Sequence, residues 1–135
     1  MRAWSDRSLR SMNGIHPDLR RVLDRALQES PVDFVVTEGL RTLERQRELL
    51  RIGASKTLNS RHLTGHAIDL YAYVDINADG KIAFEEMANP RLMRQIADAM
   101  KLAASELTIP IVWGGDWQKF KDYPHFELDR RKYPA

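Results

Sequence analysis

The chain has 135 residues, of which 43% are hydrophobic and 30% are charged, which is the size of one domain with enough apolar content for a core. This composition excludes an intrinsically disordered chain, and a net charge of only +2 argues against a dedicated nucleic-acid-binding protein. The absence of cysteine excludes disulfides, thiol nucleophiles and zinc sites with cysteine ligands.

The chain begins with a polar segment over residues 1–14, which lacks the apolar core of a signal peptide. No apolar run approaches the roughly 20 residues that a membrane-spanning helix needs. We therefore expect a single domain over residues 1–135, without a secretion signal and without stable insertion into a membrane.

The first half of the chain predicts two helices separated by a strand. The first helix covers residues 17–29, because apolar residues recur there at helical spacing and Pro17 suits the first helical position. A short apolar strand follows at residues 33–38. The second helix covers residues 43–52, with Thr42 as its N-cap.

The second half adds three strands and the longest helix. Residues 67–74 alternate between apolar and polar, as expected of a strand with one buried face. A helix is predicted over residues 90–107, followed by short strands at 109–113 and 125–128. Because helices and strands mix without a regular βαβ repeat, we expect an α+β fold with a small, mainly antiparallel sheet and about three helices.

Two segments of the chain combine histidines with carboxylates. In the first, Gly65 lies between His62 and Asp69 and permits a sharp bend that brings the two side chains together. In the second, His125 lies on the face of its strand that points away from the core. Two histidines and one carboxylate form the donor set of catalytic zinc sites, which leave a fourth position free. Packed or solvated histidines are the alternative, and spacing alone does not decide between them.

Asp122 precedes His125 by three residues, across a turn stiffened by proline. It can therefore approach a metal ion at this site without binding it. An unligated carboxylate beside such a metal is suited to act as a general base.

Residues 75–86 agree with the calcium-binding loop of an EF-hand, D-x-[DN]-x-[DN]-G-x₅-E, at every constrained position. A strand rather than a helix precedes this loop, so the predicted motif is EF-hand-like. A polar hairpin turn without calcium is the alternative. The predicted ligands are the side chains of Asp75, Asn77, Asp79 and Glu86 and the backbone carbonyl of Lys81.

Five motifs occur in a fixed order between residues 17 and 128. They are Glu38-Gly-Leu-Arg41-Thr, Gln46, Ser60-x-His62-x-x-Gly65-x-Ala67-x-Asp69, Trp113-Gly-x-Asp116-Trp117 and Asp122-x-x-His125-x-Glu127-Leu128. Together they resemble the VanY-type D-Ala-D-Ala carboxypeptidase group of zinc peptidases. Within that group the likeness is closest to the phage L-alanyl-D-glutamate endopeptidases, endolysins that cut the peptide stems of peptidoglycan.

The resemblance implies a hedgehog/D-Ala-D-Ala peptidase-like fold whose sheet carries the zinc site. It makes His62, Asp69 and His125 the zinc ligands. Asp122 takes the place of the catalytic acid/base, where relatives with carboxypeptidase activity usually have glutamate. Arg41 corresponds to an arginine that binds substrate or stabilises the oxyanion, with a salt bridge to Glu38 or Glu44 as the alternative.

Three further residues match positions that contact substrate. Ser60 either binds substrate or only shapes its loop. Trp113 and Trp117 line a groove for the stem peptide under this interpretation, whereas core packing is the more common role of tryptophan.

The resemblance therefore predicts a Zn²⁺-dependent metallopeptidase that hydrolyses the L-alanyl-D-glutamate bond of stem peptides, with Ca²⁺ in a regulatory or structural role. It implies a monomer that is made in the host cytoplasm and reaches the cell wall through a holin-like partner during host lysis. A D-alanyl-D-alanine carboxypeptidase or dipeptidase is the alternative within the same class. A non-catalytic zinc/calcium binding module is the alternative of another class.

Overall fold

The computed structural model describes residues 1–134 and contains one four-stranded sheet with the order β1-β2-β4-β3. Each of the three strand pairs is antiparallel. The strands are β1 (Phe34–Glu38), β2 (Ala67–Ala72), β3 (Ile111–Trp113) and β4 (His125–Leu128). The α+β class and the small antiparallel sheet are thus confirmed, although β2 and β3 are each two residues shorter than predicted.

Five α-helices accompany the sheet, together with 3₁₀ turns at Arg61–Thr64 and Gly114–Asp116. The α-helices are α1 (Asp6–Ser11), α2 (Pro17–Glu29), α3 (Leu43–Arg51), α4 (Phe84–Met87) and α5 (Pro90–Leu107). The three predicted helices are α2, α3 and α5, and their bounds agree to within one residue. The sequence interpretation missed α1 and α4, because six and four residues are too few to show a helical period.

The hydrophobic core lies between α2, α5 and one face of the sheet. The apolar stripes of both helices are buried against alternate residues of the strands, including Ile68 and Leu70 of β2 and Phe126 and Leu128 of β4. Because side chains alternate along a strand, the residues between them point to the opposite face. That opposite face carries the polar residues described below.

Among residues 1–134, the longest helix, α5, lacks the apolar character of a membrane span, and the other helices are too short to be one.

Candidate metal centre

The pairing of β2 with β4 places Asp69 directly opposite His125. Their side chains therefore lie next to each other on the sheet face away from the core. His62 reaches the same point from the 3₁₀ turn that precedes β2. Gly65 ends that turn with a positive φ of 75°, and a Cβ at Gly65 would lie 2.8 Å from the carbonyl oxygen of Gly14, so glycine is required there.

The three side chains meet at one point. Asp69 Oδ1 lies 3.3 Å from His62 Nε2 and 3.4 Å from His125 Nδ1. One ligand atom from each residue lies within 4.8 Å of the other two. Both histidines are buried, and Asp69 is partly buried. This spacing fits a single metal ion.

The second ring nitrogen of each histidine has its own acceptor. His62 Nδ1 donates to the carbonyl oxygen of Gly39 at 2.9 Å, and His125 Nε2 donates to Glu127 Oε1 at 2.9 Å. Outer partners of this kind fix the tautomer and direct the other nitrogen to a metal ion. The donor set and its partners therefore fit zinc. The sequence interpretation assigned no role to Glu127, although its position two residues after His125 on the same strand face was the available signal.

The environment of the site favours an ionised Asp69 beside a protonated His125 in the metal-free protein. Burial acts to raise the pKa of Asp69, but hydrogen bonds from His125 and His62 outweigh it and hold that pKa well below its usual range. For His125, burial acts to lower the pKa, yet the hydrogen bonds to Asp69 and Glu127 raise it to about 9. The site therefore attracts positive charge, either as a proton or as a metal ion.

Asp122 lies beside these residues on the wall of the same cavity. Its backbone N–H donates to the carbonyl oxygen of Gly114 at 3.0 Å, and its carbonyl accepts from His125 N–H at 3.1 Å. A Cβ at Gly114 would lie 2.3 Å from the carbonyl oxygen of Asp122, so the glycine permits this close approach. Burial and the negative charge of Asp69 raise the pKa of Asp122. Asp122 thus lies on the cavity wall as a half-buried carboxyl group whose protonated form is favoured.

Arg41 is held rigidly on the cavity wall. Its guanidinium donates to both carboxylate oxygens of Glu38, at 2.9 and 2.8 Å, and to Gln46 Oε1 at 2.6 Å. The Nη2 atom also lies 3.7 Å from Asp69 Oδ2, and Nη1 lies 3.5 Å from Ser60 Oγ. The salt bridge to Glu38 is therefore present, and it does not remove Arg41 from the metal site.

Gln46 is fully buried and ties Arg41 to the neighbouring loop. Its Nε2 donates to Ser55 Oγ at 2.8 Å and to the carbonyl oxygen of Thr57 at 2.6 Å. Ser60, at the end of that loop, caps the 3₁₀ turn by accepting a hydrogen bond from His62 N–H. The sequence motif includes Gln46 without a role, and the available signal is that Gln46 is the one uncharged residue between Glu44 and Glu48.

The two tryptophans have different positions. Trp117 lines the cavity, with its ring centroid 5.2 Å from that of His125. Trp113 is 5% exposed and belongs to the core, where it stacks on Phe126 and donates from Nε1 to the carbonyl oxygen of Tyr123. This placement corrects the expectation that Trp113 lines a substrate groove. The strand carries Trp113 inward, and the following 3₁₀ turn carries Trp117 to the other side.

A cavity of about 1040 Å³ surrounds the metal-binding residues. Its wall includes Arg41, Ser60, Trp117 and Asp122, and the loop 54–60 faces the loop 117–122 across it. This volume lies at the upper end of the range of small-molecule sites, so it accommodates a peptide segment.

The predicted calcium loop brings three of its carboxylates together. Asp75, Asp79 and Glu86 each place an oxygen within 4.8 Å of the other two. Backbone amides close the loop, because Gly80 N–H donates to Asp75 at 2.8 Å and Glu86 accepts from the backbone of Ile76. Of the remaining predicted ligands, Asn77 accepts a hydrogen bond at Oδ1 from the backbone N–H of Asp79 at 3.3 Å, and Lys81 is exposed.

Comparison with known proteins gives a consistent result. A family model for phage L-alanyl-D-glutamate peptidase matches residues 2–135. The L-alanyl-D-glutamate peptidase of Escherichia phage T5 is 33% identical over 122 residues, which are 88% of this chain and 83% of that protein.

Two solved structures have similar folds. The crystal structure of the Serratia marcescens L-Ala D-Glu endopeptidase ChiX is 46% identical, with a TM-score of 0.85 over 98% of this chain and 93% of that one. The vancomycin resistance D,D-dipeptidase VanXYg is 21% identical, with a TM-score of 0.54 over 84% of this chain and 50% of that one, which shows a shared fold alone.

Proposed function

The chain belongs to the phage L-alanyl-D-glutamate peptidase family, and from this premise we propose that it is a zinc enzyme that hydrolyses the L-alanyl-D-glutamate bond of peptidoglycan stem peptides. The observation that carries the proposal is the convergence of His62, Asp69 and His125 on the wall of a peptide-sized cavity, next to Asp122. In this proposal the three converging residues bind the zinc ion.

The proposed reaction divides the chemistry between the metal and the chain. His62, Asp69 and His125 would hold a zinc ion, which would act as a Lewis acid on the scissile carbonyl and would lower the pKa of a water molecule. The carboxylate of Asp122 takes a proton from that water and passes it to the leaving amine nitrogen. Burial, the main cause of the raised pKa of Asp122, supports this exchange because it favours the protonated carboxyl group.

Arg41 has a proposed supporting role in the same step. Its guanidinium is immobilised by Glu38 and Gln46, so its positive charge has a fixed position on the cavity wall. A fixed charge of this kind stabilises negative charge that develops on the carbonyl oxygen without reorganisation. Ser60 and Trp117 line the same cavity and are proposed to contact the stem peptide.

Digestion of purified peptidoglycan tests the bond specificity. We expect mass spectrometry to find new peptides that begin with D-glutamate. Release of D-alanine alone would instead support the carboxypeptidase alternative. A zinc-loaded protein that releases neither product would support the non-catalytic binding module.

Calcium binding to residues 75–86 is a second part of the proposal. The convergence of Asp75, Asp79 and Glu86 supports this proposal. The position of the loop supports it as well, because the loop begins three residues after β2, the strand that carries Asp69. We propose that calcium orders this segment and thereby the metal site or the adjacent groove.

The calcium proposal is tested at fixed zinc concentration. We expect Glu86→Gln to weaken calcium binding in a titration and to reduce the calcium dependence of hydrolysis, because it removes a carboxylate ligand. Glu85→Gln, at the neighbouring exposed position, is the matched control. Activity that does not change when calcium is removed would reject regulation, and a calcium-dependent melting temperature would then indicate a structural site.

We further propose that the enzyme acts on the cell wall as a monomer after release from the host cytoplasm by a holin-like partner. The family membership supports this route, because a phage relative cleaves the same class of bond. Co-expression with and without a holin, followed by turbidity, tests the route. Size-exclusion chromatography with light scattering tests the oligomeric state.

A further inference from the structure

The cavity has a floor of buried and half-buried charged residues and a basic rim. The floor contains the carboxylates of Glu38, Asp69, Asp122 and Glu127 together with the guanidinium groups of Arg41 and Arg61. The rim carries three exposed lysines, namely Lys56, Lys119 and Lys121. Within residues 1–134 none of these lysines forms an ion pair, whereas Arg130 at the same cavity lies 3.8 Å from a carboxylate oxygen of Glu127.

Lys56 contacts the segment that carries the other two lysines through one aromatic ring. Lys56, on the loop 54–60, places its Nζ 5.9 Å from the centroid of the Phe120 ring. This is a cation–π distance, and the contact joins the two facing loops. Lys119 and Lys121 flank Phe120 in the chain, and Lys121 Nζ donates to the carbonyl oxygen of Gly115 at 3.2 Å. Lys56 thus reaches the segment that carries Lys119 and Lys121, and all three residues line the same cavity.

Phe120 itself is unusual in two respects. Its side chain is 73% exposed, and its backbone has a positive φ of 53°, which is costly for a bulky residue. Burial in the core does not explain this conformation. A loop that holds an exposed ring and two flanking lysines at the cavity edge is suited to contact a ligand.

The substrate of the proposed function has a charge that requires such a contact. The amino group of the glutamyl residue forms the scissile bond, and one of its two carboxyl groups continues the stem. The other remains a free carboxylate, only a few covalent bonds from the scissile carbonyl. Neighbouring carboxylates such as Asp122 and Glu127 repel this carboxylate, whereas positive charge at the rim attracts it.

We propose that Lys56, Lys119 and Lys121 form a subsite for the free carboxylate of the glutamyl residue on the leaving side of the scissile bond. The inference rests on the proposed function and adds the chemical group that the rim recognises. Lysine is suited to this role, because it acts as a mobile point charge that does not require bidentate geometry. Phe120 supports the position of Lys56 between the two loops.

The test uses two short stem peptides with amidated C-termini that differ only at the glutamyl residue. One has the free carboxylate, and the other has a carboxamide in its place. The zinc-loaded wild type is compared with the Lys56→Gln, Lys119→Gln and Lys121→Gln variants and with the triple variant. Lys132→Gln, an exposed lysine outside the cavity, is the matched control.

For the carboxylate peptide, we expect KM to rise about two- to fivefold for each lysine removed and about tenfold or more for the triple variant, with little change in kcat. For the carboxamide peptide, the triple variant and the wild type are expected to agree within about twofold. An equal rise in KM for both peptides in the triple variant, or no rise for either, would overturn the subsite but not the proposed function. Failure of the wild type to cut the alanyl–glutamyl bond of both peptides would overturn the proposed function, and the subsite with it.

Discussion

His125 lies between two carboxylates that have different tasks. Asp69 shares the metal-facing side of the ring, 3.4 Å from Nδ1, whereas Glu127 accepts a hydrogen bond from Nε2 at 2.9 Å. Because Nε2 is committed to Glu127, the neutral ring presents its lone pair on Nδ1, on the side of Asp69 and His62. We therefore propose that Glu127 supports a bound metal ion through His125.

Glu127→Gln tests this indirect role. Glutamine keeps the shape of the side chain but removes the negative charge that orients and polarises the His125 ring. We expect zinc affinity to fall about 10- to 100-fold, as measured by competition with a chromophoric chelator. Glu48→Gln, an exposed carboxylate on α3, is the control. An unchanged affinity would show that Glu127 does not support the ligand.

Asp122→Asn separates proton transfer from metal binding. Asparagine fills the same volume but does not take up a proton, so we expect hydrolysis to fall about 10²- to 10⁴-fold. Zinc content, measured by mass spectrometry of the purified protein, is expected to stay at one ion per chain. Asp116→Asn, an exposed residue nearby, is the control. Retained hydrolysis would remove Asp122 from the mechanism, and loss of zinc would make it a ligand.

Secondary-structure elements differ in how well the sequence predicts them. The helices α2, α3 and α5 are long enough to show an apolar period or clear caps, and β4 agrees with its predicted bounds. The convergence of His62, Asp69 and His125 is also predicted in part, because Gly65 and strand alternation limit where their side chains point. The family that the spaced motifs indicate is confirmed by comparison. These features depend on neighbours in the sequence.

Other features depend on contacts between distant segments, and the sequence does not reveal them. Trp113 and Trp117 are four residues apart, yet one enters the core and the other lines the cavity. The pairing of Gln46 with Thr57 likewise appears only when α3 packs beside the following loop. Residue type alone does not distinguish these outcomes.

Gln46 is the anchor of α3, since it is the one fully buried residue of that helix among residues 1–134. Gln46→Ala removes the acceptor of Arg41 Nη1 and the amide donor to the carbonyl of Thr57. We expect the free energy of unfolding to fall by about 1–3 kcal/mol in a urea titration, because buried polar groups lose their hydrogen bonds. We also expect KM to rise more than kcat falls, because the cavity wall loosens. Arg47→Ala, exposed on the same helix, is the control, and equal effects of both variants would contradict the anchoring role.

Across the whole molecule, the sheet separates an apolar core from an acidic face. The carboxylates of that face lie close together, and the metal-free protein offsets their repulsion partly by protonating His125. Proton and metal ion therefore compete for the same nitrogen. The stability of the molecule is thereby linked to both pH and zinc.

The direction of this linkage follows from the pKa of His125, which rises from 6.5 to about 9 on folding. In the metal-free protein, this group contributes stability fully below pH 6.5 and loses it as the pH rises through about 9. Zinc binds the neutral ring, so its apparent affinity rises up to about tenfold per pH unit over the same interval. We expect the difference in Tm between the zinc-loaded and chelator-treated proteins to widen from pH 6.5 to pH 9 in scanning calorimetry. His125→Ala is the control that should lose this widening, and a constant difference in the wild type would contradict the raised pKa.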